Sequence, residues 1–174
     1  MKRFWITNFL LFQASWFSAA FYTQHAIWLI TGLLFIHFLF SPTKRADLKL
    51  LPLALIGVLL DKIHLIIGTF LPSDLFTSID TFFPAWLILL WVMFVLTLNH
   101  SLSWLLDKPL FVNVIFGAIG GAISYWAGIQ AGALSSDLTN YSLLITLALS
   151  WGVLFPTLVS GTRYINQQHL LTDN

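Results

Sequence analysis

The sequence predicts an all-α, polytopic membrane protein, a bundle of six transmembrane helices with both termini in the cytoplasm. Of its 174 residues, 58% are hydrophobic and only 9% are charged, whereas soluble domains carry about 25% charged residues. The mean hydropathy is +0.86, and most apolar runs have about the 20 residues that a helix needs to cross a bilayer. The lysines and arginines, finally, fall almost entirely on one side of the predicted membrane.

Six apolar runs, separated by polar or proline-containing connections, define the predicted spans. We place them at residues 4–22, 26–40, 50–71, 84–106, 110–132 and 141–161 of a single integral membrane domain, residues 1–174. Residues 41–49 are predicted as a hydrophilic loop and residues 162–174 as a polar tail. The first run is interpreted as an uncleaved span rather than a signal peptide, because Asn8 and Gln13 interrupt its apolar core.

The basic residues determine the predicted orientation. Asp74, Asp80 and Asp137 lie on the side that has no basic residue. The connections of the opposite side carry Lys2, Arg3, Lys44, Arg45, Lys49, Lys108 and Arg163. Because loops rich in lysine and arginine stay in the cytoplasm, both termini are predicted there.

The third run, residues 50–71, carries Asp61, Lys62 and His64 near its middle. Charged groups in hydrocarbon cost several kcal/mol unless they are paired or face a polar cavity, so they mark a candidate site. At about 100° per residue along a helix, Asp61 and His64 share one face. We predict them as a catalytic acid–base pair. A structural role, in which Asp61 bonds to His64 and a neighbouring helix, explains them equally well.

Other polar residues of the spans are sorted by their predicted depth. Gln13, Ser124 and Tyr125 lie at the mid-plane or slightly outward of it. Candidate binding residues are Gln13, Ser124 and Tyr125 in this layer, and Asn8, His37, Asn99 and His100 nearer the cytoplasm. The last group is expected either to line a small cytoplasmic cavity or to mark hydrated helix ends. Because depth separates His64 from His37 and His100, no metal site is assigned, and no cofactor is identified.

The fifth run repeats the spacing of the third. The matching positions are Gly57, Asp61, His64 and Gly68 in the third run, and Gly117, Gly121, Ser124 and Gly128 in the fifth. Small residues at this spacing let helices approach closely, so the two faces are predicted to be in contact. Tyr125 or Ser124 would then bond to Asp61, with Gln13 and Ser150 as alternatives.

Three stretches carry a resemblance to a known family: NFLLFQASWF, PAWLILLWVMFVLTLNHSL and GAIGGAISYWAG. Together they resemble a family of small bacterial inner-membrane proteins classed as a domain of unknown function. The family pattern has a proline where this chain has Ala122, so a kink there is in doubt. The resemblance implies a bacterial inner membrane, no established activity, and a genomic association with lipid-modifying enzymes.

Three classes of function remain open. The protein is a membrane-embedded enzyme or accessory factor in lipid or isoprenoid modification that uses Asp61 and His64, a small proton-linked transporter, or a structural or assembly partner without catalysis. The expected partners are membrane lipids and either a second copy of the chain or another membrane protein. No basic stretch suggests nucleic-acid binding, and the lack of cysteine excludes thiolate chemistry.

Overall fold

The structure is a computed structural model, and it describes residues 4–72 and 83–172, with side chains described up to residue 168. Helices account for most of this part of the chain. They are α1 (Phe4–Phe21), α2 (Ala26–Phe40), α3 (Lys44–Leu50), α4 (Ala54–Ile66), α5 (Ala85–Leu98), α6 (Leu110–Gln130) and α7 (Asn140–Thr172). Short 3-10 turns occupy Thr23–His25, Leu51–Leu53 and Ser103–Asp107. Two short strands, β1 (Leu71–Pro72) and β2 (Leu134–Ser135), pair antiparallel.

Three helical segments are long and apolar enough to cross a membrane: Thr23–Phe40, Leu110–Gln130 and Asn140–Gln168. A fourth apolar helix, Ala85–Leu98, is shorter. The predicted helical class is therefore confirmed, together with helices of membrane-crossing length and composition. Lys2, Arg3, Asp74 and Asp80, which contributed to the predicted orientation, lie outside the described residues.

The third predicted span, residues 50–71, does not form one continuous helix. Helix α4 covers only Ala54–Ile66. Residues 44–49, predicted as part of a loop, form α3 together with Leu50, which was predicted as the first residue of the span. Pro52 lies in the 3-10 turn between these helices, where a residue without a backbone N–H cannot continue an α-helical ladder. At the other end, Gly68 has φ +72°, a left-handed conformation that terminates helices and favours glycine.

Helices α5 and α7 also end at residues that differ from the predicted ends of the fourth and sixth spans. Helix α5 ends at Leu98 rather than at residue 106, because the side chains of the polar segment that follows bond to other elements: Asn99 to Asp47, and Ser101 to Asn8. Helix α7 continues through the predicted polar tail to Thr172. Its Arg163 donates to the carbonyls of Leu106 and Lys108, at 2.5 and 2.8 Å, and so fastens this extension to the turn after α5.

The long helices run alternately between two ends of the bundle. The first, called the basic end, is formed where α3, the Ser103–Asp107 turn and the C-terminal half of α7 meet. It carries Lys44, Arg45, Lys49, Lys108 and Arg163. At the opposite end, β1 pairs with β2, and the Ser136 hydroxyl donates to the Thr69 carbonyl at 2.6 Å. This end is called the hairpin end.

Two stacked tryptophans separate the glycine faces that were predicted to be in contact. The rings of Trp91 on α5 and Trp151 on α7 lie 5.2 Å apart at 15°. A Cβ at Gly57 would overlap Trp91, and one at Gly121 would overlap Trp151. The predicted glycine-to-glycine contact is therefore wrong. Gly57 leaves space that the Trp91 ring of α5 fills, and Gly121 leaves space that the Trp151 ring of α7 fills.

Candidate functional site

A fully buried carboxylate on α4 is held by two aromatic donors. The Trp91 indole N–H donates to Asp61 Oδ2 at 2.5 Å, and the Tyr125 hydroxyl lies 2.7 Å from both carboxylate oxygens. The donors come from α5 and α6, so Asp61 ties three helices together. We call these three residues the Asp61 cluster. Tyr125 was among the expected partners of Asp61, whereas Trp91 was not.

His64 lies on the same helix but has different partners. Its Nδ1 is 3.0 Å from the Thr69 hydroxyl, and its buried Nε2 has no hydrogen-bond partner among the described residues. The hydrogen bonds of Asp61 go to Trp91 and Tyr125 instead. The structure therefore does not join Asp61 and His64 as a bonded pair, and their catalytic role stays a prediction.

A cavity of about 470 Å³ lies between α1 and α6, against α5 and α7. Its lining is mainly aromatic and apolar, and it includes Trp91 and Tyr125 of the Asp61 cluster. Gln13 and Ser124, two predicted binding residues, also line it. The Trp16 indole donates to the Ser124 hydroxyl at 2.8 Å, which joins α1 to α6 beside the cavity. This volume is in the usual range of small-molecule sites.

A second buried carboxylate, Asp47 on α3, lies at the basic end. The Nε2 atom of His37 is 3.2 Å from Asp47 Oδ2, and that of His100 is 2.9 Å from Oδ1. The Asn99 amide donates to Oδ1 at 2.6 Å, and the Ser41 hydroxyl donates to Oδ2. The side chains of Asp47 and His37 are 0% exposed and that of His100 is 7% exposed. We call these five residues the Asp47 cluster.

The hydrogen bonds keep Asp47 ionised. Burial by itself raises the pKa of a carboxyl group, but the bonds from His100, His37, Ser41 and Asn99 outweigh it, so that the pKa of Asp47 falls well below its ordinary value. The cluster thus contains a full negative charge, enclosed by imidazole, amide and hydroxyl groups.

Three of the four residues that were predicted nearer the cytoplasm, His37, Asn99 and His100, come together on Asp47. Asn8 lies next to them, where its Oδ1 accepts from the Ser101 backbone N–H and hydroxyl at 3.2 and 2.6 Å. His64 belongs to the hairpin end, through Thr69. The predicted separation of His64 from His37 and His100 therefore agrees with the structure.

Asp47 itself was missed, because residues 41–49 read as a hydrophilic loop. One feature of the sequence does indicate that Asp47 faces inward. Asp47 is the only acidic residue in a basic segment, and it lies three positions before Leu50. Residues three apart share a helix face, and in α3 both are fully buried, whereas Lys44, Arg45 and Lys49 are exposed.

A protein-family model described as "Protein of unknown function (DUF2878)" matches residues 5–157. The chain belongs to this family. The match contains every residue of the Asp61 and Asp47 clusters and ends within α7, before Arg163. The resemblance to a family of unknown function, predicted from the sequence, is confirmed. Searches of curated proteins and of solved structures find no match to this DUF2878 chain.

Proposed function

We propose that this DUF2878 protein is a multi-pass protein of the bacterial inner membrane that binds the apolar chain of a lipid or isoprenoid, as an enzyme of lipid modification or an accessory to one. The observation that carries the proposal is the aromatic cavity between α1 and α6. Apolar surface that leaves water or headgroups for such a cavity gains about 25 cal/mol per Å². A long hydrocarbon chain is the ligand class that matches this lining.

The polar groups in the cavity wall suit a ligand with one polar function. Gln13 of α1 and Ser124 and Tyr125 of α6 line the cavity, as do Thr97 and Ser101, and the rest of the lining is mainly apolar. A few placed polar groups in an apolar pocket fix the orientation of a ligand. In this proposal the Tyr125 hydroxyl meets the polar function of the ligand, and Asp61, which accepts the hydrogen bond of that hydroxyl, holds its orientation.

The course of the helices supports a six-span topology with both termini in the cytoplasm. Each long segment starts at one end of the bundle and finishes at the other, and α1 begins beside His37 and His100 while the Arg163 region of α7 returns to the same end. Five lysines and arginines gather there, whereas Asp137 lies near the hairpin end. A reporter fused after Asn174 should be active in the cytoplasm, and periplasmic activity would contradict this topology.

The cavity proposal is tested by filling the cavity. Gly120 lines it, and within the described part of the chain nothing lies closer than 4 Å to a Cβ built there. Gly120→Phe should therefore reduce labelling of the purified protein by photoreactive fatty-acid and isoprenoid probes about tenfold. Gly32→Phe is the matched control, because Gly32 on α2 has an equally open Cβ position but does not line the cavity.

Equal labelling of the two variants and the wild type would contradict chain binding in this cavity. The lipid-modification role has its own test, the lipid profile of a deletion strain. A changed acyl or isoprenoid profile supports that role. An unchanged profile, together with proton-linked flux in vesicles or stable co-purification with another membrane protein, would instead support the transporter or the assembly partner.

A further inference from the structure

Three side chains of the types that commonly bind metal ions converge at the basic end. One ligand atom from each of His37, Asp47 and His100 lies within 4.8 Å of the other two. They come from α2, α3 and the segment directly after α5, so three separate elements build the group. The convergence therefore depends on the tertiary fold and not on a local sequence motif.

The spacing suits an ion in the middle of the group. Each imidazole Nε2 lies 2.9 to 3.2 Å from an oxygen of Asp47. Two ligands at about 2.1 Å from one ion are about 3.0 Å apart at a right angle and about 3.4 Å apart at the tetrahedral angle. Closing the widest separation from 4.8 Å to the tetrahedral value requires a movement of at most about 1.4 Å, which side-chain torsions can supply.

We propose that His37, Asp47 and His100 bind a divalent transition-metal ion of the zinc class at the basic end of this protein. Two imidazoles and one carboxylate suit Zn²⁺ and Fe²⁺, whereas Mg²⁺ and Ca²⁺ prefer oxygen ligands throughout. A carboxylate ligand would offset part of the charge of the ion. This site is separate from the cavity and does not depend on the function proposed for it.

The surroundings of the three ligands match those of a metal site. Asn99 and Ser41 bond to the Asp47 carboxylate and hold its orientation, as outer partners of ligating carboxylates do. The Phe4 ring packs edge-on against both imidazoles, with its centroid 5.4 Å from that of His37 and 4.8 Å from that of His100. Three protein ligands leave a fourth position for water or a substrate oxygen, the arrangement of catalytic zinc sites.

The test is a zinc titration of the full-length protein in detergent, after removal of metal with a chelator and of the chelator by dialysis. The wild type should bind one Zn²⁺ per chain. His37→Gln, His100→Gln and Asp47→Asn should each weaken binding about 100-fold or more, since loss even of outer partners costs 10- to 100-fold. His64→Gln is the matched control, because it changes a buried histidine outside the group and should bind as the wild type does.

Absence of zinc binding to the wild type at 100 times the protein concentration would overturn the proposal, as would unchanged affinity in all three ligand variants. If those variants do not fold, X-ray absorption of the zinc-loaded wild type decides the question. Two imidazole ligands per zinc support the proposal, and one or none overturns it. Labelling by lipid probes is measured on the same samples, so that failure of the metal site and failure of the cavity proposal remain distinguishable.

Discussion

Asp61 and Asp47 are both completely buried, but the groups around them differ in kind. Asp61 accepts from an indole and a phenol, and both of these rings line an apolar cavity. Asp47 accepts from two imidazoles, an amide and a hydroxyl at the basic end. Both arrangements solve the same problem, since a buried carboxylate without hydrogen bonds is very costly.

The difference in donors leads to different chemistry. Indole N–H and phenol O–H groups are poor metal ligands, so the Asp61 cluster holds a hydroxyl in place but offers a single ligating side chain. Imidazole is a common metal ligand, so the Asp47 cluster supplies three. The partners of a buried charge, more than its depth, therefore indicate what the site can do.

The largest expected effect comes from removing the Asp61 carboxylate. Asp61→Ala leaves the Trp91 N–H and the Tyr125 hydroxyl without their acceptor, at about 1–3 kcal/mol each, so we expect a loss of about 4 kcal/mol in the free energy of unfolding. Tyr125→Phe removes one of the two donors and keeps the Trp91 bond, so it should cost about a third as much. Unfolding titrations in mixed micelles measure both. An Asp61→Ala protein as stable as the wild type would show that the cluster does not hold the helices together.

The tryptophan stack between the glycine faces gives the second prediction. Gly121→Leu drives a side chain into the Trp151 ring, and overpacking of this kind costs about 1–3 kcal/mol. On the same helix, no atom of the described residues lies within 4 Å of a Cβ built at Gly128, so Gly128→Leu should change stability by less than about 0.5 kcal/mol. Thermal unfolding of the two variants side by side tests this, and equal losses would refute the account of the packing.

The smallest expected effect concerns the separation of Asp61 from His64. Because the two side chains bond to different partners, Asp61→Asn and His64→Gln should have additive effects on stability, within about 0.5 kcal/mol. The double variant and both single variants complete the cycle. A coupling energy above about 1 kcal/mol would contradict this separation and support the direct acid–base pair that the sequence spacing suggests.

Local signals predict much of the fold. The apolar runs at residues 4–22, 26–40 and 110–132 match α1, α2 and α6 within two residues at each end, because hydrophobicity and helix-ending residues are both visible in the sequence. Helix ends that depend on tertiary contacts are not visible there. The end of α5 at Leu98 depends on where Asn99 and Ser101 find partners, and the extension of α7 depends on Arg163.

For the polar clusters, the sequence predicted only which residues lie at a similar depth along the helices. Depth along the helices placed His37 and His100 in one layer and His64 in another, as the structure does. It could not show that Asp47 turns inward from a short amphipathic helix, nor that Trp91 reaches Asp61 from α5. Rotation about a helix axis is set by packing against neighbours, and the apolar all-round composition of α5 gives no preferred face.

If the Asp47 cluster binds a metal ion and the Asp61 cluster does not, zinc should stabilise the protein only while Asp47 is present. A ligand at 100 times its dissociation constant stabilises the folded state by about 2.7 kcal/mol. Zinc should raise the free energy of unfolding by this amount in the wild type and in Asp61→Asn, and should leave Asp47→Asn unchanged. Zinc stabilisation that survives in Asp47→Asn, or disappears in Asp61→Asn, would contradict the claim.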